Sequence, residues 1–194
     1  GGSSVANAER IFNVAKRISE TYDNGNDVVV ILSAQGDTTD DLIAKAAEIN
    51  PDASRREMDM LLSTGEQQSV ALMAMALDKM GYKAVSLNAF QVGIETTPDY
   101  SVAKISKISD VRIKKELAEK NIVLVTGFQG FNEYGNVTTL GRGGSDTSAV
   151  AIAAALKADL CEIYTDVDGV YTCDPRIVKG AKKMTEISFD EMSE

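Results

Sequence analysis

The chain predicts an α/β fold on a mostly parallel sheet, and three observations carry that expectation. Apolar, β-branched runs at 27–33, 84–88 and 122–125 alternate with stretches of helical periodicity. The first run, from Asp27 to Ser33, is continuously apolar between its ends, the pattern of a strand buried on both faces. The third run leads through a glycine-punctuated loop into a helix that begins near Ser145, so strand, loop and helix follow one another as in a parallel unit.

Taken in order, Gly1-Gly2-Ser3-Ser4 opens onto a helix with an apolar face of Ile11, Phe12, Ala15 and Ile18, stopped between Asp23 and Asn26. A glycine-rich loop before a helix normally follows a strand, so the chain is expected to begin just inside a β-loop-α unit. The loop is a candidate phosphate cradle, against the plainer readings of a frayed terminus or an expression scar, the last of which Gly-Gly-Ser-Ser on its own would favour. Beyond the strand 27–33, the polar loop Ala34 to Asp40 leads into a helix at Asp41–Ile49. Ligands of open α/β sheets sit beyond strand carboxyl ends, which makes Thr38 or Thr39 a candidate for a substrate contact. Helix capping explains those side chains equally well.

Ser54-Arg55-Arg56-Glu57 is a capping box that opens a helix carrying Met58, Leu61 and Leu62. Ser63-Thr64-Gly65-Glu66 is expected to interrupt it, and a helix buried nearly all round then runs to Met80, with Gly81 as its stop. Glu66 sits at that restart. A buried carboxylate needs a partner, either as a capping acid or as the counter-charge of a ligand ammonium. Ala84 to Asn88 reads as a short strand, and Ala89 to Ser109 has no assignable periodicity. Asp110 caps a helix through Lys120 with Leu117 inward, and the strand Ile122–Val125 follows. Tyr134-Gly135-Asn136 reads as the turn of a small hairpin covering the site.

The densest chemistry lies in the run Thr138-Thr139-Leu140-Gly141-Arg142-Gly143-Gly144-Ser145-Asp146-Thr147-Ser148. Gly143 and Gly144 leave backbone N–H groups unshielded, and the first turn of a helix has donors without intrahelical partners. Arg142 adds a planar cation able to grip a carboxylate with two parallel hydrogen bonds, and Ser145 adds a hydroxyl. An isolated Gly-Gly-Ser is usually an ordinary cap, but these groups fall together at one helix start and make an anion site the better reading. Ala149, Ile152, Ala153 and Leu156 form the buried face of that helix.

Leu160 to Thr165 is expected to form a further strand, with Cys161 buried in it. The segment Asp166 to Arg176 then pairs Tyr171 and Arg176 as a base-stacking and phosphate-contacting couple. A capping box at Ser188-Phe189-Asp190-Glu191 announces a helix with little chain left to form it, so both ends read as truncated relative to a complete fold.

Composition bounds the function. The 194 residues are 44% hydrophobic, and no apolar run approaches the ~20 residues of a spanning helix. With no signal peptide pattern, a cytoplasmic location is the expectation. A net charge of −9 would repel a phosphate backbone, which disfavours nucleic acid as a partner, as the lack of a spanning run disfavours a membrane. Cys161 and Cys173 form no CxxC pair, so no zinc site or disulfide scaffold is expected. The chain contains no histidine, which removes the commonest general base. Phosphoryl transfer suits that inventory, because its transition state asks for positioning and charge stabilisation.

With these stretches placed, the sequence resembles the catalytic domain of aspartokinases, members of the amino acid kinase family. The matching runs are Gly1 to Val5, Leu32-Ser33-Ala34 followed by Thr39, Ser63 to Glu66, Thr138 to Asp146, and Thr165 to Arg176, in the right order over essentially the whole chain. The resemblance implies an αβα sandwich and transfer of the γ-phosphoryl of ATP to the side-chain carboxylate of L-aspartate, with Mg²⁺, giving 4-phospho-L-aspartate on the way to lysine, threonine and methionine. By the same resemblance, Thr39, Glu66, Arg142, Gly143, Gly144 and Ser145 hold aspartate, Glu66 meeting its ammonium and Arg142 a carboxylate. Thr165, Asp166, Tyr171, Thr172, Asp174, Pro175 and Arg176 match the nucleotide site, and Gly1 and Gly2 the loop beneath the transferred phosphates. Asp146 matches an acidic position near the reacting centre, organising the neighbouring cations; no residue is assigned as a direct metal ligand.

The family's lysine before the first Gly-Gly, a second lysine beyond the last helix and the regulatory ACT domains have no counterpart in these residues. Residues 1–194 are therefore expected to be a partial catalytic domain, weakly active or inactive alone, from a parent that forms a homo-oligomer. The alternatives are a non-catalytic fragment binding nucleotide or aspartate, and a sister kinase acting on glutamate, N-acetylglutamate or UMP. Glu66 argues against an N-acylated substrate, because its carboxylate would then lack an ammonium to neutralise.

Overall fold

The computed structural model describes residues 2–141, 143–164 and 182. It divides into two compact units, Gly1–Tyr164 and Thr165–Glu194, and the first of them carries the described elements. A 3-10 turn at Gly2–Val5 leads into α1 (Ala8–Asp23), then β1 (Val29–Leu32), α2 (Thr38–Ile49) and the long α3 (Arg55–Lys79). Next come β2 (Ala84–Leu87), the single turn α4 (Ala89–Val92), β3 (Ile94–Thr96), β4 (Ile105–Ile108), α5 (Val111–Ala118) and β5 (Ile122–Thr126). A hairpin of β6 (Gln129–Phe131) and β7 (Val137–Thr139) precedes α6 (Gly144–Leu156).

Among the described residues the core is a three-stranded parallel sheet in the order β1-β5-β2, with β5 in the centre and all five of its residues buried. Its side chains alternate between two apolar layers. Ile122 and Leu124 meet Ile11, Ala15 and Ile18 of α1 and Val70, Met73 and Leu77 of α3. Val123 and Val125 meet Val92, Ile113 and Ile152 on the other face. The sheet is thus sandwiched between helices, as expected. Residues 89–109, which have no readable period, fold as α4, β3 and β4, and β3 joins the hairpin in a second, mixed sheet of order β4-β3-β6-β7.

Several expectations are corrected. The helix after β1 begins at Thr38, not Asp41, so Thr38 and Thr39 lie in its first turn; Asp37 precedes it without a side-chain cap bond. Residues 63–66 do not interrupt α3. Ser63 and Thr64 donate their hydroxyls back to the carbonyls of Met60 and Leu61, at 2.9 and 2.7 Å, so they are satisfied inside the helix. Gly65 is tolerated because a Cβ there would approach Ala34 Cβ to 2.9 Å, which makes it a close-packing position instead of a helix stop.

Nor is α3 buried all round, since Leu72 and Met75 face outward. Phe12 also points outward, unlike Ile11, Ala15 and Ile18, because adjacent residues on a helix lie about 100° apart and cannot share the centre of one buried face. Asp110 precedes α5 without a side-chain cap bond and instead pairs with Lys114. Residues 160–164 carry no strand, and Leu160 and Cys161 are exposed. An apolar run becomes a strand only where a neighbour accepts its ladder, and none among the described residues does.

Candidate functional site

Four loops meet beyond the carboxyl ends of β1 and β5. Residues 33–37 follow β1, and the Gly2–Val5 turn is clasped against them: Gly36 N–H donates to Gly2 O at 3.0 Å, and Gln35 Nε2 donates to Val5 O at 2.7 Å. A Cβ on Gly2 would stand 2.6 Å from Ala34 O, so only glycine fits. Gly127 and Phe128 follow β5, and the run 140–145 returns from β7 into α6.

A cavity of about 300 Å³ opens where these loops converge, lined by Ser33, Thr39, Glu66, Phe128, Gly141, Gly143, Gly144, Ser145 and Asp146. Six of the seven residues expected to hold aspartate or sit at the reacting centre therefore border one space: Thr39, Glu66, Gly143, Gly144, Ser145 and Asp146. Gly2, expected beneath the transferred phosphates, lies at the neighbouring turn. Arg142 and Gly1 lie outside the described residues, as do Thr165, Asp166, Tyr171, Thr172, Asp174, Pro175 and Arg176 of the expected nucleotide site.

Glu66 dominates the electrostatics. It sits within α3, well past the Ser54 cap, so the capping-acid reading is excluded. Its residue is 3% exposed; Oε1 accepts the Ala34 N–H at 3.1 Å, and Oε2 is buried with no hydrogen-bond partner. Burial raises its pKa from 4.5 to about 7, with the Ala34 N–H pulling in the opposite direction. A buried carboxylate oxygen without a donor, bordering a cavity, can accept from a cationic group that enters it.

The glycine-rich wall of the cavity is built from tight backbone packing. Gly141 and Gly143 hold φ of 81° and 70°, and Gly143 precedes α6 without a side-chain cap. A Cβ on Gly144 would strike Phe128 Cδ2 at 2.8 Å, and one on Gly127 would strike Ser145 Oγ at 2.7 Å. Ser148 secures the floor by accepting the Phe128 N–H at 3.1 Å and donating to Gly144 O at 2.8 Å. Ser145 is thereby seated directly on the turn that leaves β5.

Sequence reasoning missed Ser33 and Phe128 as cavity residues. Ser33 was readable as the last residue of a strand whose carboxyl end faces ligand. Phe128 holds φ of 69°, a left-handed conformation that no local pattern announces. The hairpin exists, but its base and not its tip borders this cavity. Gly135 at the tip instead lines a separate cleft with Gln67, Phe90 and Gln129.

The geometry agrees with the pattern along the chain, whose residues 1–194 match the model of the amino acid kinase family. The chain belongs to the amino acid kinase family. It is 59% identical over 194 residues to an aspartokinase of Geobacillus stearothermophilus, covering all of this chain and 48% of the relative. The chain spans about half the length of the curated relatives it matches. Among solved structures of the family, an aspartate kinase from Synechocystis superposes with a TM-score of 0.79 at 51% identity, over 99% of this chain and 32% of that one. E. coli aspartokinase III in complex with aspartate and ADP superposes with a TM-score of 0.75 at 26% identity, over 95% of this chain and 52% of that one.

Proposed function

We propose that residues 1–194 are part of the catalytic domain of an aspartate kinase, which transfers the γ-phosphoryl of ATP to the side-chain carboxylate of L-aspartate. The buried, unpartnered Oε2 of Glu66 carries this reading. Once ionised, it supplies a negative charge in a site whose opposite wall is glycine backbone and Ser145, which suits a zwitterion whose ammonium meets Glu66 and whose carboxylates meet the amide-rich turn. The high identity to aspartokinases, and the aspartate and ADP bound in the E. coli neighbour, support the choice of substrate and nucleotide.

The acceptor carboxylate is already a nucleophile at neutral pH, so no general base is required, in keeping with a chain that has no histidine. Thr39 and Ser145 orient the acceptor, while Arg142 and the Gly143–Gly144 amides hold its charge. Gly1 and Gly2 form the loop under the transferred phosphoryl, and the residues from Thr165 to Arg176 take the nucleotide. Magnesium would be held mainly by the triphosphate, as is usual for this ion. Asp146, exposed at the cavity, is the carboxylate that would help to hold the ion there. Bound magnesium would neutralise charge that develops on the phosphoryl oxygens.

We assign the ACT regulatory domains, the oligomer contacts and the link to lysine, threonine and methionine synthesis to the parent protein. The deciding experiment is a ligand-induced shift in melting temperature at pH 8 with a non-hydrolysable ATP analogue present. Aspartate should protect, and N-acetylaspartate and N-acetylglutamate should not. Equal protection by an N-acylated acid would overturn the reading, because Glu66 would then face no ammonium.

A further inference from the structure

Asp59 is fully buried on α3, in a place that the substrate contacts do not explain. Its carboxylate gathers two distant segments with four hydrogen bonds. Oδ2 accepts the backbone N–H of Ser101 and of Thr139, both at 2.9 Å. Oδ1 accepts the hydroxyls of the same residues, at 3.0 and 2.8 Å. The two segments are also tied to each other, since Ala103 N–H donates to Thr139 O at 3.0 Å. Gly141 packs so close behind them that a Cβ there would lie 3.3 Å from Ser101 O. Ser101 is held at φ of 67°, a left-handed conformation that needs such external support in a non-glycine residue.

Thr139 is the last residue of β7 and leads directly into the Gly141–Ser145 turn. Glu66 lies on the same helix as Asp59, about two turns further on and so on nearly the same face, roughly 10 Å away along the axis. One rigid helix therefore carries both the group that faces the cavity and the group that fixes where the amide-rich turn starts. We propose that Asp59 is a positioning residue that sets the distance between Glu66 and that turn, and through it the length of amino acid the site accepts. This rests on the aspartate kinase reading for its ligand, although the clamping itself does not.

The side chain offers a sharp test. Asparagine is isosteric, and its oxygen can accept both backbone N–H groups while its amide donates to the two hydroxyls, which rotate to accept. Asp59→Asn should keep the clamp and Asp59→Ala should open it. Calorimetry on the protein would give affinities for aspartate, glutamate and ATP, and hydrogen exchange would follow the amides of Ser101 and Thr139.

For Asp59→Ala we expect aspartate affinity to fall by about tenfold or more and ATP affinity to change by less than about threefold. The preference for aspartate over glutamate should narrow, and exchange at both amides should accelerate. Asp59→Asn should stay within about threefold of the parent for aspartate. A folded Asp59→Ala protein with unchanged exchange, or with unchanged aspartate affinity and preference, would overturn the proposal.

If that variant does not fold, the Ser101→Ala, Thr139→Val double variant removes both hydroxyl partners and leaves the carboxylate on its two amides. It should lose at least about threefold in aspartate affinity, and no loss would refute the clamp. Failure of the parent protein to bind aspartate would sink the functional reading instead, and the exchange rates would then decide the role of Asp59 alone.

Discussion

Replacing Glu66 by glutamine should stabilise the ligand-free protein, by an amount that depends on pH. The folded pKa is raised to about 7 from 4.5, so the stability associated with the neutral form is fully present below about 4.5 and is lost as pH rises through about 7. At ~1.36 kcal/mol per pH unit, the ionised carboxylate costs the fold about 3 kcal/mol at pH 8. Glutamine avoids that cost and can keep the Ala34 N–H bond through its oxygen, but its amide hydrogens then occupy the unpartnered position of Oε2. Leaving those donors unmet costs ~1 kcal/mol.

The net gain at pH 8 is therefore about 2 kcal/mol, or roughly 4–8 °C in melting temperature for a domain of this size, and it should vanish or reverse at pH 4.5. Urea unfolding of both proteins at pH 4.5, 6 and 8 measures the difference directly. Saturating aspartate should invert the ordering at pH 8, because only the carboxylate attracts the ammonium. A stability difference that stays flat from pH 4.5 to 8 would refute the reasoning, since it would mean that Glu66 is not neutralised on this pH scale.

Three further outcomes follow from the same geometry. Aspartate affinity of the parent protein should weaken as pH falls below about 7, approaching tenfold per pH unit, because binding needs Glu66 ionised; titration calorimetry from pH 5.5 to 8.5 checks this. Gly127→Ala should drive a methyl into Ser145 and Ile31, whose atoms would stand 2.7 and 3.0 Å away, lowering aspartate affinity by about tenfold and stability by ~1–3 kcal/mol, read by calorimetry and urea melts. Gly65→Ala should push α3 away from Ala34 and strain the Ala34–Glu66 hydrogen bond, costing ~1–3 kcal/mol in the same melts.

The parts of the fold that were legible are those where local pattern and tertiary demand agree. The continuous apolar run before Ser33 could only be a doubly covered strand, and the Ser54 capping box marked the start of α3 to the residue. The cavity was legible where glycines and polar groups fall close together in sequence, as in Gly143, Gly144, Ser145 and Asp146. What failed was decided at long range. Ser63 to Glu66 looks like a helix break because serine, threonine and glycine prefer loops, yet Gly65 is small because Ala34 presses on it from across the fold. Residues 89–109 read as irregular because β3 and β4 are short, with bulged pairing and partners that include the distant β6. Asp59 drew no notice because a lone aspartate within a helix has no sequence signature; its four donors come from residues 42 and 80 positions away.

The pairing of the central sheet also constrains the order in which the molecule is assembled. Among the described residues, β1 and β2 are never neighbours; each bonds only to β5, which is made later, with Val29 opposite Val123 and Ala84 opposite Ile122. Within the described residues, neither apolar strand therefore finds a ladder partner until the keystone strand leaves the ribosome. Closure across such sequence separations is slow, so the growing chain is most vulnerable to sticking to its neighbours before Ile122 emerges. Shielding by a chaperone would matter most in that interval.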